Sequence, residues 1–279
     1  MRVVIMKDVQ QFSARIEPLL LRKEACNNLM LGILEREKTS QNGEVLMGLV
    51  EKDNHFVYGF IQTPPHDLVL PDIEIQPDIF PVLARWFIEN QIKLPGVIGS
   101  REVADAFVQA WSQETKLPVT LHMEQLIYQL THVNDIGSAP GRLTLAKEAD
   151  KDLYVKWMQQ FGRETNEEGI QDRAHSLITH FLKMNSLFVW EVDGVPVSMV
   201  NQSRKTKNGV TINAVYTPDE YKRKGYATTS VTTLTQKLLE EGNRFCALYT
   251  DKANPTSNQI YQRIGYKTVG DSIVYKFGD

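Results

Sequence analysis

The order in which helical and alternating apolar periodicity succeed one another constrains this chain more than any other feature. Between residues 150 and 160, Leu153, Val155, Trp157 and Met158 predict a helix, and between 172 and 184 Ala174, Leu177, Ile178, Phe181 and Leu182 predict a second. Residues 186–192, 195–202 and 210–216 then read as strands, separated by the hairpin signals Asp193-Gly194 and Asn208-Gly209. Residues 225–241 predict a helix on the spacing of Ala227, Val231, Leu234 and Leu238, stopped by Gly242. A short apolar strand follows at 245–249. Asn254 as N-cap and Pro255 at the first helical position open a last helix that Gly265 ends. Strands at 266–269 and 272–277 close the series, which reads α-α-β-β-β-α-β-α-β-β.

The first half carries a coarser version of this order. Residues 25–34 predict a helix, 44–50 and 56–62 a hairpin, 79–91 a helix, 96–98 a short strand, 101–111 a helix, and 119–130 an extended segment. This implies a structural duplication without a visible sequence repeat. A chain of 279 residues favours one large domain or two of moderate size. Asn134-Asp135-Ile136-Gly137-Ser138-Ala139-Pro140-Gly141 is its most linker-like stretch. The expected division is therefore a domain at 1–133, a linker at 134–141 and a domain at 142–279.

A net charge of −3 and a pI near 6.1 argue against nucleic acid as a partner. The one basic run, Arg204-Lys205-Thr206-Lys207, falls in a predicted turn and reads as solvated. The two cysteines, Cys26 and Cys246, are far apart, which fits a reducing compartment. No apolar run suits a signal peptide or a membrane span, so the reading is a cytoplasmic protein with no membrane partner. His55, His66 and Cys26 match no metal-ligand spacing, and no metal is expected.

Chemistry concentrates in two segments of the second half. In Val215-Tyr216-Thr217-Pro218-Asp219-Glu220-Tyr221-Lys222-Arg223-Lys224-Gly225-Tyr226-Ala227-Thr228, a strand runs into a basic turn that opens a helix. Unpaired N–H groups and a partial positive charge at a helix N-terminus suit a pyrophosphate. Gly225 clears a side chain from the approach, Ala227 keeps the next inward position small, and Lys222, Arg223 and Lys224 add charge. In the second segment, Asn254, Asn258 and Tyr261 follow at spacings of four and three, which puts Asn258 and Tyr261 on one helix face.

Together the segments resemble the GCN5-related N-acetyltransferase (GNAT) superfamily. Lys222-Arg223-Lys224-Gly225-Tyr226-Ala227 is similar to its Gln/Arg-x-x-Gly-x-Gly/Ala loop, with Lys222 in place of Gln or Arg. The stretch from Asn254 to Tyr266 is similar to its Asn-x-x-x-Asn-x-x-Tyr-x-x-x-Gly-Tyr/Phe segment. The resemblance covers residues 143–277. It implies an α/β (α+β) fold of tandem GNAT-like domains, each a mixed, mainly antiparallel twisted sheet flanked by helices. It also implies acetyl-CoA as co-substrate: its pyrophosphate at residues 222–228, its pantetheine along Val215, Tyr216 and Thr217 and beside Asn254 and Asn258, and Tyr261 as the acid that protonates the leaving thiolate.

The expected reaction is direct attack of a small-molecule amine on the thioester, with a backbone N–H near Val215 stabilising the developing oxyanion. The base is not legible: Glu164, Glu167, Glu168 and Glu191 are the carboxylates considered. The first half lacks the glycine-basic loop, and Asp78 before its helix at 79 would repel a phosphate, so it reads as a degenerate copy that walls the acceptor pocket or forms an oligomer surface. Homodimer assembly is left open. Two alternatives stand beside this reading: a tandem-domain aminoacyl transferase, which predicts a basic channel, and a non-enzymatic acetyl-CoA-binding regulator, which predicts a lost general acid.

Overall fold

In the computed structural model, residues 1–39, 44–76, 78–165 and 168–278 are described. The chain forms two compact units, residues 1–127 with 269–279, and residues 128–268. Among the described residues, no helix is long and apolar enough to cross a membrane.

The first unit contains β1 (Arg2–Met6), α1 (Val9–Leu20), α2 (Asn28–Thr39), β2 (Leu46–Lys52), β3 (His55–Gln62), β4 (Leu68–Val69), α3 (Ile79–Glu89), β5 (Gly96–Gly99), α4 (Arg101–Thr115) and most of β6 (Val119–Leu130). Strand alternation divides its core into two layers. Tyr58 and Phe60 pack with Phe80, Phe87, Phe107 and Trp111 on the side of α3 and α4. Ile61 and Leu49 pack with Phe12, Ile16, Leu20 and Leu34 on the side of α1 and α2. Neighbouring strands from β1 to β4 are antiparallel, whereas β4 and β5 are parallel. The sequence reading missed β1, α1 and β4. The helix α1 was nonetheless written in the chain: Asp8 accepts from the backbone N–H groups of Gln10 and Gln11, and Phe12, Ile16 and Leu20 follow at a spacing of four.

The second unit contains β7 (Arg142–Leu145), α5 (Lys151–Glu164), α6 (Glu168–Lys183), β8 (Leu187–Val192), β9 (Val195–Lys205), β10 (Gly209–Tyr216), α7 (Tyr226–Glu240), β11 (Phe245–Asp251) and α8 (Pro255–Ile264). Its strands lie in the order β11-β10-β9-β8-β7, antiparallel except for β10 and β11. On one face, Tyr154, Trp157, Ile178 and Phe181 of α5 and α6 cover Leu187, Val189, Met199, Ala214 and Tyr216. On the other, Cys246 lies against α7, its thiol directed at the Thr235 carbonyl. Each unit is thus a mixed sheet flanked by helices, and the element order of the second recurs in the first.

The expected pair of strands at 266–269 and 272–277 is one strand, β12 (Lys267–Phe277), and residues 269–277 belong to the first unit. There β12 pairs antiparallel with β5 from Ile273↔Gly99 to Lys276↔Gly96. Tyr275 and Phe277 join the core of α3 and α4, and Lys276 pairs with Asp67 at 2.7 Å. The chain therefore divides elsewhere than at 134–141. That segment is tied down within the second unit: the Asn134 N–H donates to the Ile264 carbonyl, the Ala139 N–H to Thr229 Oγ1, and Trp190 Nε1 to the Pro140 carbonyl.

Gly209 is required by a close approach. A Cβ there would lie 2.2 Å from Cζ of the buried Phe245 ring on the paired strand. Gly209→Ala is expected to destabilise the protein by about 1–3 kcal/mol through overpacking, and Phe245→Leu in the same chain should recover part of the loss. Denaturant unfolding of the three variants measures this, and an unchanged midpoint for Gly209→Ala would contradict the packing.

Candidate active site

The site begins where two strands part. Pairing between β10 and β11 extends only from Gly209↔Phe245 to Thr211↔Ala247, although β10 continues to Tyr216 and β11 to Asp251. Beyond Thr211 the edge of β10 that faced β11 is left without that neighbour. On its other edge β10 is bulged: Asn213 pairs with Asn201 but Tyr216 pairs with Met199, so three steps on β10 match two on β9. Ala214 accommodates the bulge at φ 48°, a left-handed conformation uncommon for a residue with a Cβ. Ser198 fastens its far end, donating to the Tyr216 carbonyl at 3.0 Å and lying 2.8 Å from Thr217 Oγ1. The bulge takes Ala214 and Val215 out of register and re-aims their backbone groups.

The basic turn follows β10 directly. Arg223 (φ 65°) and Gly225 (φ 81°) both adopt left-handed backbone, and Gly225 is the N-cap of α7 without a side chain. The first turn closes with the Thr229 N–H on the Gly225 carbonyl at 2.9 Å. The N–H groups of Tyr226, Ala227 and Thr228 precede that bond and have no intrahelical acceptor. Among the described residues beyond its chain neighbours, a Cβ on Gly225 would touch only Ala139 Cβ, at 3.8 Å, which leaves room at these N–H groups.

The three cations of the turn are not equivalent. Lys222 Nζ pairs with Glu164 at 2.9 Å and Asp219 at 2.7 Å, and lies 5.9 Å from the Tyr216 ring centroid. Its charge is compensated within the protein. Lys224 lies over the Tyr221 ring at 5.4 Å, and Arg223 is exposed. The Tyr216 hydroxyl donates to Glu164 at 3.1 Å and to Gln160 at 3.4 Å. Burial, followed by the Glu164 charge, raises its pKa.

On α8 the spacing reading places its residues in distinct roles. Asn254 is the N-cap; its side chain accepts from the Ser257 N–H at 3.0 Å. Asn258 Nδ2 donates to the carbonyls of Asp251 and Lys252 at 3.2 and 3.3 Å, holding the turn from β11 into the helix. Its Oδ1 is buried with no partner in the described protein, an acceptor available to an incoming N–H group. Tyr261 is 8% exposed, its ring tilted against Tyr128 at 6.2 Å and edge-on to Tyr266 at 6.1 Å. Burial pushes its pKa up to about 12, so its proton stays in place at neutral pH.

The candidate bases also separate. Glu191 is 2% exposed, paired with Lys147 at 2.8 Å and Arg142 at 3.2 Å, and those partners hold its pKa below the usual carboxylate range. It is a structural anion. Glu164 faces Tyr216 and Lys222 as described, Glu168 opens α6, and Glu167 lies outside the described residues. The bulge at Ala214 and its Ser198 fastening were not foreseen. Arg204 was misread: β9 runs through Lys205, and the Arg204 guanidinium lies over the Tyr249 ring at 5.7 Å rather than in a solvated turn.

The geometry described is held by a segment with a family match: residues 148–266 match the model of the Acetyltransferase (GNAT) family. No curated protein sequence matches the chain. Among solved structures, a GCN5-related N-acetyltransferase from Sphaerobacter thermophilus is 13% identical, with 99% of this chain and 96% of that one covered at a TM-score of 0.64. An acetyltransferase from the GNAT family of Colwellia psychrerythraea is 11% identical, with both chains covered in full at 0.62. A tandem GNAT protein from the clavulanic acid biosynthesis pathway is 11% identical, with 99% and 98% covered at 0.59. At these identities the likenesses speak for the fold, which extends over both units. Residues 148–266 thus match the Acetyltransferase (GNAT) family, within a fold shared along the whole chain with GNAT proteins, a tandem one among them.

Proposed function

We propose that the second unit transfers an acetyl group from acetyl-CoA to the amine of a small molecule by direct attack. The observation that carries this reading is the parting of β10 from β11 beside the open N-terminus of α7. A pyrophosphate fits the N–H groups of Tyr226, Ala227 and Thr228, with Arg223 and Lys224 nearby. An amide-containing arm fits the unpaired edge of β10 along Val215, Tyr216 and Thr217 and the orphaned Oδ1 of Asn258. Lys222 and Asn254 take part through the loop and helix they hold, since each side chain already has protein partners. The thioester, when bound, supplies an activated acyl carbon and a thiolate leaving group. The backbone around Ala214 and Val215 supplies a fixed dipole for the oxygen charge that develops; as the C–N bond forms and the C–S bond breaks, Tyr261 gives its proton to the departing thiolate and regains, through solvent, the proton that the attacking nitrogen loses.

Free-thiol release from acetyl-CoA over a panel of small amines tests the reading. Amine-dependent release is the expected result. Cofactor binding with no release on any amine would favour the regulator reading instead.

A further inference from the structure

Where β10 runs out into the basic turn, the protein leaves a buried backbone donor unused. Thr217, the residue that follows β10, is 8% exposed, and among the described residues no backbone or side-chain group accepts from its N–H. Buried N–H groups in folded proteins are nearly always paired. Pro218 comes next and has no N–H. The turn beyond closes on itself, with the N–H groups of Tyr221 and Lys222 on the Pro218 carbonyl at 2.8 and 3.1 Å. The Thr217 N–H is therefore the last donor of the β10 edge before that turn.

Ser198 decides where that N–H points. Its hydroxyl donates to the Tyr216 carbonyl at 3.0 Å. That uses the only proton on Ser198 Oγ, so in the 2.8 Å contact with Thr217 Oγ1 the threonine hydroxyl is the donor. The two hydroxyls form a directed chain, from Thr217 to Ser198 to the Tyr216 carbonyl, with Ser198 fully buried on β9. A trans peptide holds its C=O and N–H on opposite sides. With the Tyr216 carbonyl turned to Ser198, the N–H of the same peptide unit, that of Thr217, points away from β9, to the edge of β10 that β11 has left. Backbone alternation sends the Val215 carbonyl the same way. A donor and an acceptor thus flank Tyr216 on the open edge. Donation into the Tyr216 carbonyl also polarises the peptide unit, which makes its N–H a stronger donor.

We infer that Ser198 is a positioning residue for the cofactor: it fixes the Tyr216–Thr217 peptide so that the Thr217 N–H meets an amide carbonyl of the acetyl-CoA arm. The inference rests on the acyl-transfer reading of the opening. Ser198 acts through the peptide rather than by contact, since its own hydroxyl is buried and already engaged on both sides. A fastening of the bulge alone would not require the N–H across the same peptide to be left unpaired.

Calorimetric titration tests it with two ligands: CoA, and 3′-phosphoadenosine 5′-diphosphate, a nucleotide that keeps the pyrophosphate and lacks the arm. Ser198→Ala is expected to weaken CoA by roughly 3- to 10-fold, the worth of one net hydrogen bond, and to leave the nucleotide unchanged. Ser198→Thr keeps the hydroxyl and should restore most of the CoA affinity. A second readout needs no variant and holds even if Ser198→Ala does not fold. In the wild type the Thr217 amide proton, followed by NMR, should move further downfield with CoA than with the nucleotide. Unchanged CoA affinity in Ser198→Ala, equal losses on both ligands, or equal Thr217 shifts with both would each overturn the inference. The acyl-transfer reading fails in a different way. Wild-type protein that binds neither ligand would reject both readings, whereas wild-type protein that binds both, beside a silent Ser198→Ala, would reject the role of Ser198 alone.

Discussion

Tyr261→Phe is expected to lower kcat by about 10²-fold while leaving acetyl-CoA affinity unchanged. General acid catalysis is typically worth on the order of 10²–10⁴ in rate, and a thiolate is a moderately good leaving group, which sets the lower end. The structure makes this a clean substitution. The ring is held by Tyr128 and Tyr266, contacts that phenylalanine preserves. Among the described residues no group hydrogen-bonds the Tyr261 hydroxyl, so its removal leaves no protein donor or acceptor orphaned. The loss should fall on kcat and not on the binding of cofactor. With the pKa near 12, the acid stays protonated through the working range, and no alkaline fall in kcat traceable to Tyr261 is expected between about pH 7 and 10. Steady-state kinetics of the variant decides the matter: retention of more than about half the wild-type kcat would reject the general-acid role and leave water or the acceptor to deliver the proton.

Gly225→Glu is expected to abolish measurable acetyl-CoA binding without unfolding the protein. The side chain would place an anion over the N–H groups of Tyr226, Ala227 and Thr228, where the phosphates are to sit. Space is available, since among the described residues beyond its chain neighbours a Cβ at this position meets only Ala139 Cβ, at 3.8 Å. A carboxylate at a helix N-terminus is favourable in itself. The φ of 81° adds about 1–2 kcal/mol of backbone strain for any residue other than glycine. Gly225→Ala carries that strain without the charge and serves as the control. Thermal unfolding should show both variants folded, with similar melting temperatures, while titration shows binding lost only in the glutamate variant. Normal binding by Gly225→Glu would show that the loop is not the phosphate site.

Much of the fold follows from periodicity alone, because helices α5 to α8 each bury one face and state it at helical spacing. Asn254, Pro255 and Gly265 mark the ends of α8 for reasons local to the backbone, and the structure places cap, first position and left-handed stop there. Features set by distant partners were not legible. Nothing in Asn213-Ala214-Val215 announces a bulge, since alanine does not favour a left-handed φ; the register imposed by β9 and the grip of Ser198 create it. Adjacent strands usually pair with sequence neighbours, so the run after α8 read as closing its own half, whereas Tyr275 and Phe277 find their apolar partners among α3 and α4. Arg204 read as solvated because a charge run near Asn208-Gly209 ordinarily is; only the pairing of β9, β10 and β11 reveals an aromatic ring beneath it. Lys222 presents a similar lesson. Its charge suggests a phosphate ligand, and Glu164, 58 residues away, has already claimed it.

The first unit shows what the second would look like without the opening. Its β4 and β5 are parallel, as β10 and β11 are, yet the Leu70 N–H continues the pairing onto the Ile98 carbonyl at 2.9 Å. The backbone beyond is also occupied: Asn27 donates from Nδ2 to the Asp72 carbonyl at 3.0 Å and accepts from the Asp72 N–H at 2.8 Å. The buried carboxamide of Asn27 thus makes both bonds that an amide-containing arm would need there, and Asp72 and Glu74 put negative charge before α3. Calorimetric titration of the whole chain with acetyl-CoA is therefore the most direct test of the account. One site per chain, eliminated by Gly225→Glu, is the expected result. Absence of heat, or a stoichiometry near two, would contradict it.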